Sequence, residues 1–483
     1  MLFPTFEFFA FFVVVLALNW ILKAKPLIWR LFLLAISYFF YATWNSRFVL
    51  LIFLISVFNF FSASFIDKAK EEKRKKFLLA GTIIINVLAL AFFKYYNFFR
   101  DSAEIILNKM GLTNNLLFLQ IVLPIGLSFY ILRVISYNID VFRQKIAPEK
   151  SYLNFAIYVA FFPQLLAGPI MRAGDFLPQL KSGGAKTIAN LEKNFVLILG
   201  GLFKKIVIAG YLTTNIVSDV FAVPQNHSQL AVLLAMYAYA VVIYCDFSAY
   251  SDMAIGIAGL MGFKSPINFN ASYSAVDFRD FWRRWHITFS EWLRDYVYIP
   301  LGGNRKGRFR TYFNSLITML VSGLWHGAGL NYLAWGLLHG LGLVFSNIRN
   351  EALQKWPNKA RRNFEKLFSW FLTFNFICFF WIFFGAANLQ NAFDIIKQLF
   401  NWRTGIEPID LYVVGLIILS FIIFALGRKI QNLFISLINF QRELPPFLKI
   451  LSSFVSVLII ALLVILALKL GPDIIPSFIY FKF

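Results

Sequence analysis

The stretch Phe48–Ile66 reads FVLLIFLISVFNFFSASFI and carries no charged side chain over its 19 residues. A helix needs about 20 predominantly apolar residues to cross the hydrocarbon core of a bilayer. The run is followed at once by Asp67–Lys76, which contains six lysines and arginines. An uncharged run of this length beside a cluster of cations is typical of a membrane helix that ends at the cytoplasmic surface.

The composition of the whole chain is also typical of a membrane protein. Of its 483 residues, 59% are hydrophobic and only 14% are charged, whereas soluble proteins average about 25% charged residues. The net charge of +22 lies in short segments between apolar runs, which argues against nucleic-acid binding. We predict about twelve membrane crossings, near Phe8–Leu22, Leu27–Tyr41, Phe48–Ile66, Phe77–Phe93, Leu116–Leu132, Phe195–Leu212, Leu230–Phe247, Tyr312–Trp325, Leu330–Phe345, Leu367–Phe384, Leu411–Leu426 and Phe447–Leu468.

Loop charges indicate the orientation. The loops Arg133–Lys150 and Arg349–Lys366 are basic, whereas Asn215–Gln229 contains no lysine or arginine. Placing the basic loops in the cytoplasm puts both termini outside. The alternation is consistent if Tyr152–Gly168 is re-entrant and Tyr312–Phe345 crosses twice. The sequence therefore predicts an all-α polytopic membrane protein whose first helix is retained.

The longest polar stretch, Lys264–Arg310, is predicted to hold an amphipathic helix. Its apolar residues recur at spacings of three and four, which is one face of a helix. They are Trp282, Trp285, Phe289, Trp292 and Tyr296. Arginines beside a tryptophan-rich face favour a helix in the headgroup region. His286 falls on the apolar face, so spacing alone favours a satisfied buried histidine.

A glycine–cation turn follows at Leu301–Gly307. Its glycines, with Arg305 and Lys306, suit phosphate binding through backbone N–H groups and charge. The same composition is also expected of an ordinary cytoplasmic turn under the positive-inside rule. Both interpretations stay open.

The block SGLWHGAGLN, Ser322–Asn331, places His326 among three glycines within apolar sequence, and His339 follows. An ionisable group within a membrane segment is by default a functional hypothesis, and histidine suits proton transfer near neutral pH. The alternative is a hydrogen-bonded core histidine, which the spacing favours more for His339 than for His326. His227 lies in a polar loop and is expected to be solvated.

Two acids, Asp246 and Asp252, also fall in an apolar run. Acids at membrane depth need partners, so these either pair with arginine, cap a broken helix or line a proton or substrate path. The two cysteines, Cys245 and Cys378, have no spacing that predicts a disulfide, and nothing in the sequence predicts a metal site.

Together these blocks resemble one protein family. The blocks are Ala167–Arg172 (AGPIMR), Phe176–Leu180 (FLPQL), Asp246–Met253 (DFSAYSDM), Phe281–Lys306, Gly323–Gly327 (GLWHG) and Asn331–Gly340. The resemblance is to the membrane-bound O-acyltransferase (MBOAT) family, in its bacterial polysaccharide O-acetylation branch, and it covers roughly residues 160–340. It implies a helical bundle with re-entrant and interfacial helices around a central tunnel.

The resemblance also implies roles for individual residues. His326 would be the catalytic histidine and His286 a second histidine near the tunnel. Residues expected to line or support the tunnel are Trp325, Asn331, His339, Asp246 and Asp252. The donor would be acetyl-CoA rather than a bound cofactor. Residues expected to bind this donor are Arg283, Arg284, Arg294, Arg305 and Lys306.

The predicted organisation is an N-terminal helical part (1–150), a catalytic core (151–346) and C-terminal helices (347–483). The predicted function is transfer of acetyl from acetyl-CoA across the bacterial inner membrane to a periplasmic polysaccharide, with peptidoglycan first and a separate periplasmic transferase as partner. Alginate or another exopolysaccharide, and D-alanylation of teichoic acid, remain alternatives. A different class is a transporter with an intramembrane proton relay.

Overall fold

The structure is a computed structural model of the 483-residue chain. It describes residues 3–111, 121–185, 187–188, 190–353, 359–401 and 408–426, together with 445, 447–448, 465, 469, 471–472 and 476–479. Throughout these ranges the ordered elements are helices and turns. The fold class predicted from the sequence is thereby confirmed as all-α.

Seventeen α-helices are described, and they are numbered here in chain order. They are α1 Phe6–Leu22, α2 Pro26–Asn45, α3 Arg47–Lys68, α4 Glu72–Lys109, α5 Leu127–Phe142, α6 Tyr152–Ala160, α7 Ala173–Lys181, α8 Leu191–Phe203, α9 Ser218–Ala222, α10 Gln229–Leu260, α11 Phe278–Trp282, α12 Ile287–Leu293, α13 Gly307–His326, α14 Leu330–Leu353, α15 Lys359–Gly385, α16 Leu389–Leu399 and α17 Leu411–Leu426. Short π-helical segments at Lys204–Gly210 and Thr213–Val217 join α8 to α9, and a third lies at Arg294–Tyr298.

Six helical stretches in the described part of the chain are long and apolar enough to cross a membrane: Pro26–Asn45, Arg47–Lys68, Glu72–Lys109, Leu191–Ala222, Gln229–Leu260 and Glu365–Gly385. Two shorter apolar helices, α1 and α17, add to them. The outward faces of α1 to α4 carry large exposed apolar side chains such as Phe6, Leu50 and Phe77, as lipid-facing surfaces do. The protein is a multi-pass membrane protein, and the count of about twelve crossings stays a prediction.

Two of the predicted crossings are not single helices among the described residues. The run Leu116–Leu132 is not one helix, because the chain is non-helical from Ile121 to Gly126 and α5 begins only at Leu127. Pro124 and the left-handed Gly126 (φ 80°) explain the break, since neither suits a helix interior. The other predicted crossing, Phe447–Leu468, lies almost entirely outside the described residues.

Helix α10 forms the centre of the bundle. It is buried along most of its length, and its glycines and alanines bring neighbouring helices close. Gly256 and Gly259 lie against Asn194 of α8, where any added Cβ would overlap that residue. Small residues at such contacts let membrane helices approach closely.

Three asparagines join α3, α4 and α5. The amides of Asn59 and Asn86 exchange hydrogen bonds of 3.0 and 2.9 Å, and Asn138 donates to the Asn59 amide oxygen at 2.8 Å. All three are buried. Within a bilayer, polar contacts of this kind hold helices in register because lipid offers no alternative partner. They fix the position of α4 against the core.

The predicted re-entrant segment is a nine-residue helix, α6, followed by a 3-10 turn and extended chain. Nine residues rise only about 14 Å, far less than a bilayer core. The segment lies buried inside the protein, where non-helical backbone is tolerated. The buried guanidinium of Arg133 donates to the carbonyls of Tyr158 and Gln164 and so holds this segment in place.

The prediction of one continuous amphipathic helix across Trp282–Tyr296 is wrong. The chain forms two short helices, α11 and α12, separated by a turn in which His286 adopts a left-handed conformation with φ 42°. The aromatic side chains lie inside the protein rather than in a headgroup layer, with Trp285 and Phe289 1% and 0% exposed. The stripe is therefore core packing, not an interfacial face.

The predicted boundary between residues 346 and 347 falls inside α14, which runs unbroken from Leu330 to Leu353. Helix α15 packs against both α10 and α14. The helices that follow the boundary are thus part of the wall around the central helices.

Candidate active site

The pair α13–α14 carries His326 and His339. The two helices approach closely because Gly323 and Gly336 face each other, and a Cβ on either would overlap the backbone of the opposite helix. Gly327 lies under the ring of Tyr332, where an added Cβ would also overlap. The glycines that flank His326 thus allow close packing around the end of α13.

His326 is the last residue of α13 and is 2% exposed. Its ring lies 5.0 Å from Trp335, 5.2 Å from Phe384 and 5.6 Å from Phe289, measured between ring centroids. An imidazole in such an apolar surrounding is held by packing on several sides. The contacts fix the ring at the end of α13.

Lysine 94 of α4 holds the end of this helix. Its ammonium donates to the carbonyl oxygens of Trp325 and His326, the latter at 2.9 Å. The hydroxyl of Tyr95 donates to the carbonyl of Leu324. The last carbonyls of a helix lack intrahelical partners and carry partial negative charge. A cation placed there satisfies them and fixes the backbone of the histidine.

His286 lies in the turn between α11 and α12 and is 0% exposed. Its Nδ1 is 3.1 Å from the amide oxygen of Asn268. Its ring makes an edge contact with Phe247 at 4.6 Å and lies 5.0 Å from Phe289. Phe289 therefore touches both His286 and His326.

His339 is also 0% exposed. Its ring lies 4.7 Å from Trp335 and 5.2 Å from both Trp282 and Phe380. Neither ring nitrogen has a hydrogen-bond partner among the described residues. Trp335 joins His339 to His326. We call His286, His326 and His339, with the rings between them, the histidine cluster.

A cavity of about 740 Å³ lies at one end of the α13–α14 pair. Four arginines line it: Arg279, Arg283, Arg294 and Arg308. Trp282 and Met319 form its inner wall, and Trp282 also touches His339. One acid, Glu351, lines the cavity and lies 3.3 Å from Arg308. Because cationic side chains outnumber acids here, the cavity favours anions. We call it the arginine cavity.

A second cavity of about 400 Å³ lies at the opposite end, where α13 turns into α14. Tyr332 and Phe384 form the wall nearest His326. Lys205 and Asp246 line it as an ion pair of 2.7 Å. His326 lies seven residues after Met319 of the arginine cavity, about 10 Å along the helix at 1.5 Å per residue. The histidine cluster thus separates the two cavities.

A small cavity of about 30 Å³ touches His326 directly. Lys94, Ser128 and Trp325 also line it. This volume is enough for about one water molecule. A reacting hydroxyl group is of similar size.

The structure brings together most, but not all, of the residues singled out from sequence. Trp325 stacks on Phe289 at 4.2 Å. Asn331 lies beside the cluster and donates to the carbonyls of Phe383 and Ala386, both at 3.1 Å. It ties the start of α14 to the end of α15. This is a supporting position rather than one that lines a described cavity.

The two acids have the partners that membrane depth requires, but these are lysines rather than arginines. Asp246 pairs with Lys205, and Asp252 pairs with Lys204 at 2.6 Å. Only Asp246 reaches a described cavity. His227 is not simply solvated, because its Nε2 is 3.4 Å from Asp219 and its side chain is 11% exposed.

Of the five predicted donor-binding residues, Arg283 and Arg294 line the arginine cavity. Arg284 pairs instead with Asp280 at 2.7 Å. Arg305 and Lys306 are exposed and lie outside the lining, between the lining residues Asn304 and Gly307. Their role in donor binding stays a prediction.

Sequence reasoning missed several residues. Lys94 stands alone between apolar residues in AFFKYYNFF, and a lone cation in an apolar run was a usable signal. Lys205 gave a similar signal, because it lies with Lys204 in the apolar run Phe195–Leu212. Arg279, Arg308 and Asn268 lie in the polar stretch Lys264–Arg310 and gave none. Their importance depends on contacts between residues far apart in sequence.

Together, the fold and the site define a multi-pass helical membrane protein with buried histidines between two cavities. The family model described as "MBOAT, membrane-bound O-acyltransferase family" matches residues 143–388, just over half of the chain. This range contains all three histidines of the cluster.

Individual similar proteins support the same family. The peptidoglycan O-acetyltransferase of Helicobacter pylori is 36% identical, over 78% of this chain and 74% of its own. The probable alginate O-acetylase AlgI of Pseudomonas aeruginosa is 39% identical, over 78% of this chain and 70% of its own. A teichoic acid D-alanyltransferase of Streptococcus thermophilus is 30% identical, over 55% of this chain and 69% of its own. The chain belongs to the membrane-bound O-acyltransferase family and is an O-acyltransferase.

Proposed function

We propose that this protein takes an acetyl group from acetyl-CoA in the arginine cavity, at the cytoplasmic face of the bacterial inner membrane. The group passes at the histidine cluster to an acceptor hydroxyl that enters from the second cavity. Its destination is a polysaccharide outside the membrane. The position of His326 between two cavities at opposite ends of α13–α14 carries this proposal.

The charge of the arginine cavity supports a phosphorylated donor. Arg279, Arg283 and Arg294 can each offer several N–H groups in a planar arrangement that matches phosphate oxygens. The basic loops of this end are cytoplasmic by the positive-inside rule, which is where acetyl-CoA is made available. The thioester end would lie inward, toward Trp282 and Met319.

The reaction balances with His326 as general base. The imidazole takes the proton of the acceptor hydroxyl as its oxygen forms a bond to the acetyl carbonyl carbon. The C–S bond of the thioester breaks, and the CoA thiolate takes the proton back from the imidazolium. Lys94 maintains the position of His326 throughout, because it binds the carbonyl of that residue. General bases of this kind typically contribute about 10²–10⁴-fold in rate.

The second cavity supports a hydroxyl-bearing acceptor. Thr213, Ser218, Lys205 and Asp246 give it polar walls. We propose peptidoglycan as the first-choice final acceptor, in line with the name of the Helicobacter pylori relative, and a separate periplasmic transferase as partner. The alginate relatives make an exopolysaccharide the alternative.

The test is transfer of labelled acetyl by the purified protein in nanodiscs, with acetyl-CoA compared with a D-alanyl carrier-protein thioester. We expect label to leave acetyl-CoA in a His326-dependent way. His227→Ala is a matched control outside the cluster and should retain activity. Use of only the carrier-protein thioester would replace this proposal with D-alanylation, the activity named for the Streptococcus thermophilus relative.

A further inference from the structure

Asn268 is the direct neighbour of His286 and is 1% exposed. Its amide oxygen lies 3.1 Å from His286 Nδ1. A neutral imidazole carries its proton on either Nδ1 or Nε2, and the partner of one nitrogen decides which. The identity of the Asn268 atom that faces the ring therefore determines the chemistry of His286.

Backbone N–H groups settle the identity of that atom. Ile170 N–H donates to the hydroxyl oxygen of Thr288 at 2.9 Å, and the Thr288 O–H donates to Asn268 Oδ1 at 3.0 Å. Thr288 N–H donates to the same oxygen at 3.4 Å. A backbone N–H can only donate, so this atom of Asn268 is the acceptor oxygen. The amide nitrogen of Asn268 donates to Ser251 Oγ at 3.1 Å.

We propose that Asn268 is a positioning residue that holds His286 in the tautomer with its proton on Nδ1, leaving the lone pair on Nε2. Nε2 has no hydrogen-bond partner among the described residues. It is buried within the histidine cluster, on a ring that touches Phe289. Neutral His286 is then an acceptor at Nε2 and not a donor.

This inference rests on the proposed function and sharpens it. An Nε2 lone pair accepts a hydrogen bond from a reactant O–H or S–H group. It cannot donate to the carbonyl oxygen of the acetyl group, so neutral His286 in this tautomer does not stabilise an oxyanion. The arrangement also links the sequence blocks of Ile170 and Ser251 to the site, because both supply partners to this network.

The test is ¹⁵N NMR of the full-length protein, labelled at histidine and reconstituted in lipid. With four histidines in the chain, the His286→Gln variant identifies the His286 signals. We expect a pyrrole-type Nδ1 and a pyridine-type Nε2 at neutral pH. A pyridine-type Nδ1 in the wild-type protein would overturn the proposal. The NMR spectrum does not depend on acetyl transfer, so a result that overturns the tautomer assignment is distinct from a failure of the proposed function.

Two Asn268 variants separate positioning from mere packing. Asn268→Asp keeps an acceptor oxygen and should preserve the Nδ1–H signature. Asn268→Leu removes the acceptor and should give a mixture of tautomers. We expect kcat to fall about 10–100-fold, because misplacement of a reacting group by about 1 Å can cost about 10²-fold in rate, and KM for acetyl-CoA to stay unchanged. A pure Nδ1–H signature in Asn268→Leu would contradict the assignment. If Asn268→Leu does not fold, the wild-type spectrum and Asn268→Asp decide.

Discussion

Replacement of Lys94 by methionine tests whether the end of α13 must be held for catalysis. Methionine keeps much of the side-chain length but removes the charge and the donors. The ammonium binds two terminal carbonyls, those of Trp325 and His326. A hydrogen bond that involves a charged group contributes about 1.5–3 kcal/mol, so loss of both costs about 3 kcal/mol or more at this helix end.

The expected consequence is a displaced His326 rather than an empty donor site. A misplacement of about 1 Å can cost about 10²-fold in rate, so we expect kcat to fall about 10–100-fold. KM for acetyl-CoA should stay near the wild-type value, because Lys94 does not line the arginine cavity. Lys94→Arg retains charge and donors and should recover part of kcat.

The assay is steady-state acetyl transfer by purified variants that elute as single species. Lys76→Met is the matched control, since Lys76 lies on the same helix, is 66% exposed and pairs only with Glu72 in the described structure. A well-folded Lys94→Met protein with wild-type kcat would refute the reasoning, as would an equal loss in Lys76→Met.

The arginine cavity, the asparagine contacts between helices and the ion pair of Glu149 each give one further prediction. If the arginine cavity binds the donor, Arg279→Gln with Arg283→Gln should raise KM for acetyl-CoA at least tenfold, because two phosphate-binding groups are lost, and Arg305→Gln with Lys306→Gln should leave KM nearly unchanged. If the exposed turn binds the donor, as the sequence predicts, the second pair of substitutions should raise KM instead. Steady-state kinetics on both pairs decides between the two sites. Asn59→Leu should lower the unfolding free energy by about 2 kcal/mol, since it breaks three buried hydrogen bonds between helices, which contribute about 0.6 kcal/mol each on average in a membrane. A thermal-unfolding midpoint equal to that of the wild type would contradict this. Burial opposes ionisation of Glu149 in its loop outside the membrane, but hydrogen bonds from Lys181 and Ser151 outweigh burial and lower the pKa of Glu149. The carboxylate therefore stabilises the folded protein at pH values above its unfolded pKa of about 4.3. Glu149→Gln should lower the thermal-unfolding midpoint at pH 7, and by progressively less as the pH falls below that value.

Hydrophobic patterning was sufficient to predict those helices that are apolar along their whole length. The run Phe48–Ile66 lies within α3, and Leu230–Phe247 lies within α10. Each such helix satisfies its own backbone hydrogen bonds, so its existence depends on local sequence.

Hydrophobic patterning gave a wrong prediction where a non-helical residue interrupts an apolar spacing of three and four residues. The three–four spacing from Trp282 to Tyr296 predicts one helix, yet His286 interrupts it with a positive φ. The interruption is stabilised by Asn268, eighteen residues earlier, whose oxygen meets both the imidazole and Thr288. No local signal encodes that contact. The lysine partners of Asp246 and Asp252 were missed for the same reason, since they lie more than 40 residues away on another helix.

The most direct test of the central claim uses everted membrane vesicles, whose cytoplasmic face points outward and whose lumen retains the periplasmic contents. Labelled acetyl-CoA is added outside, and label in the enclosed polysaccharide is measured for the wild-type and the His326→Ala protein at equal expression. If the acetyl group passes the histidine cluster, wild-type vesicles label the enclosed polysaccharide, and His326→Ala reduces that labelling by about 10²–10⁴-fold. Equal labelling of the enclosed polysaccharide by both proteins would contradict the account.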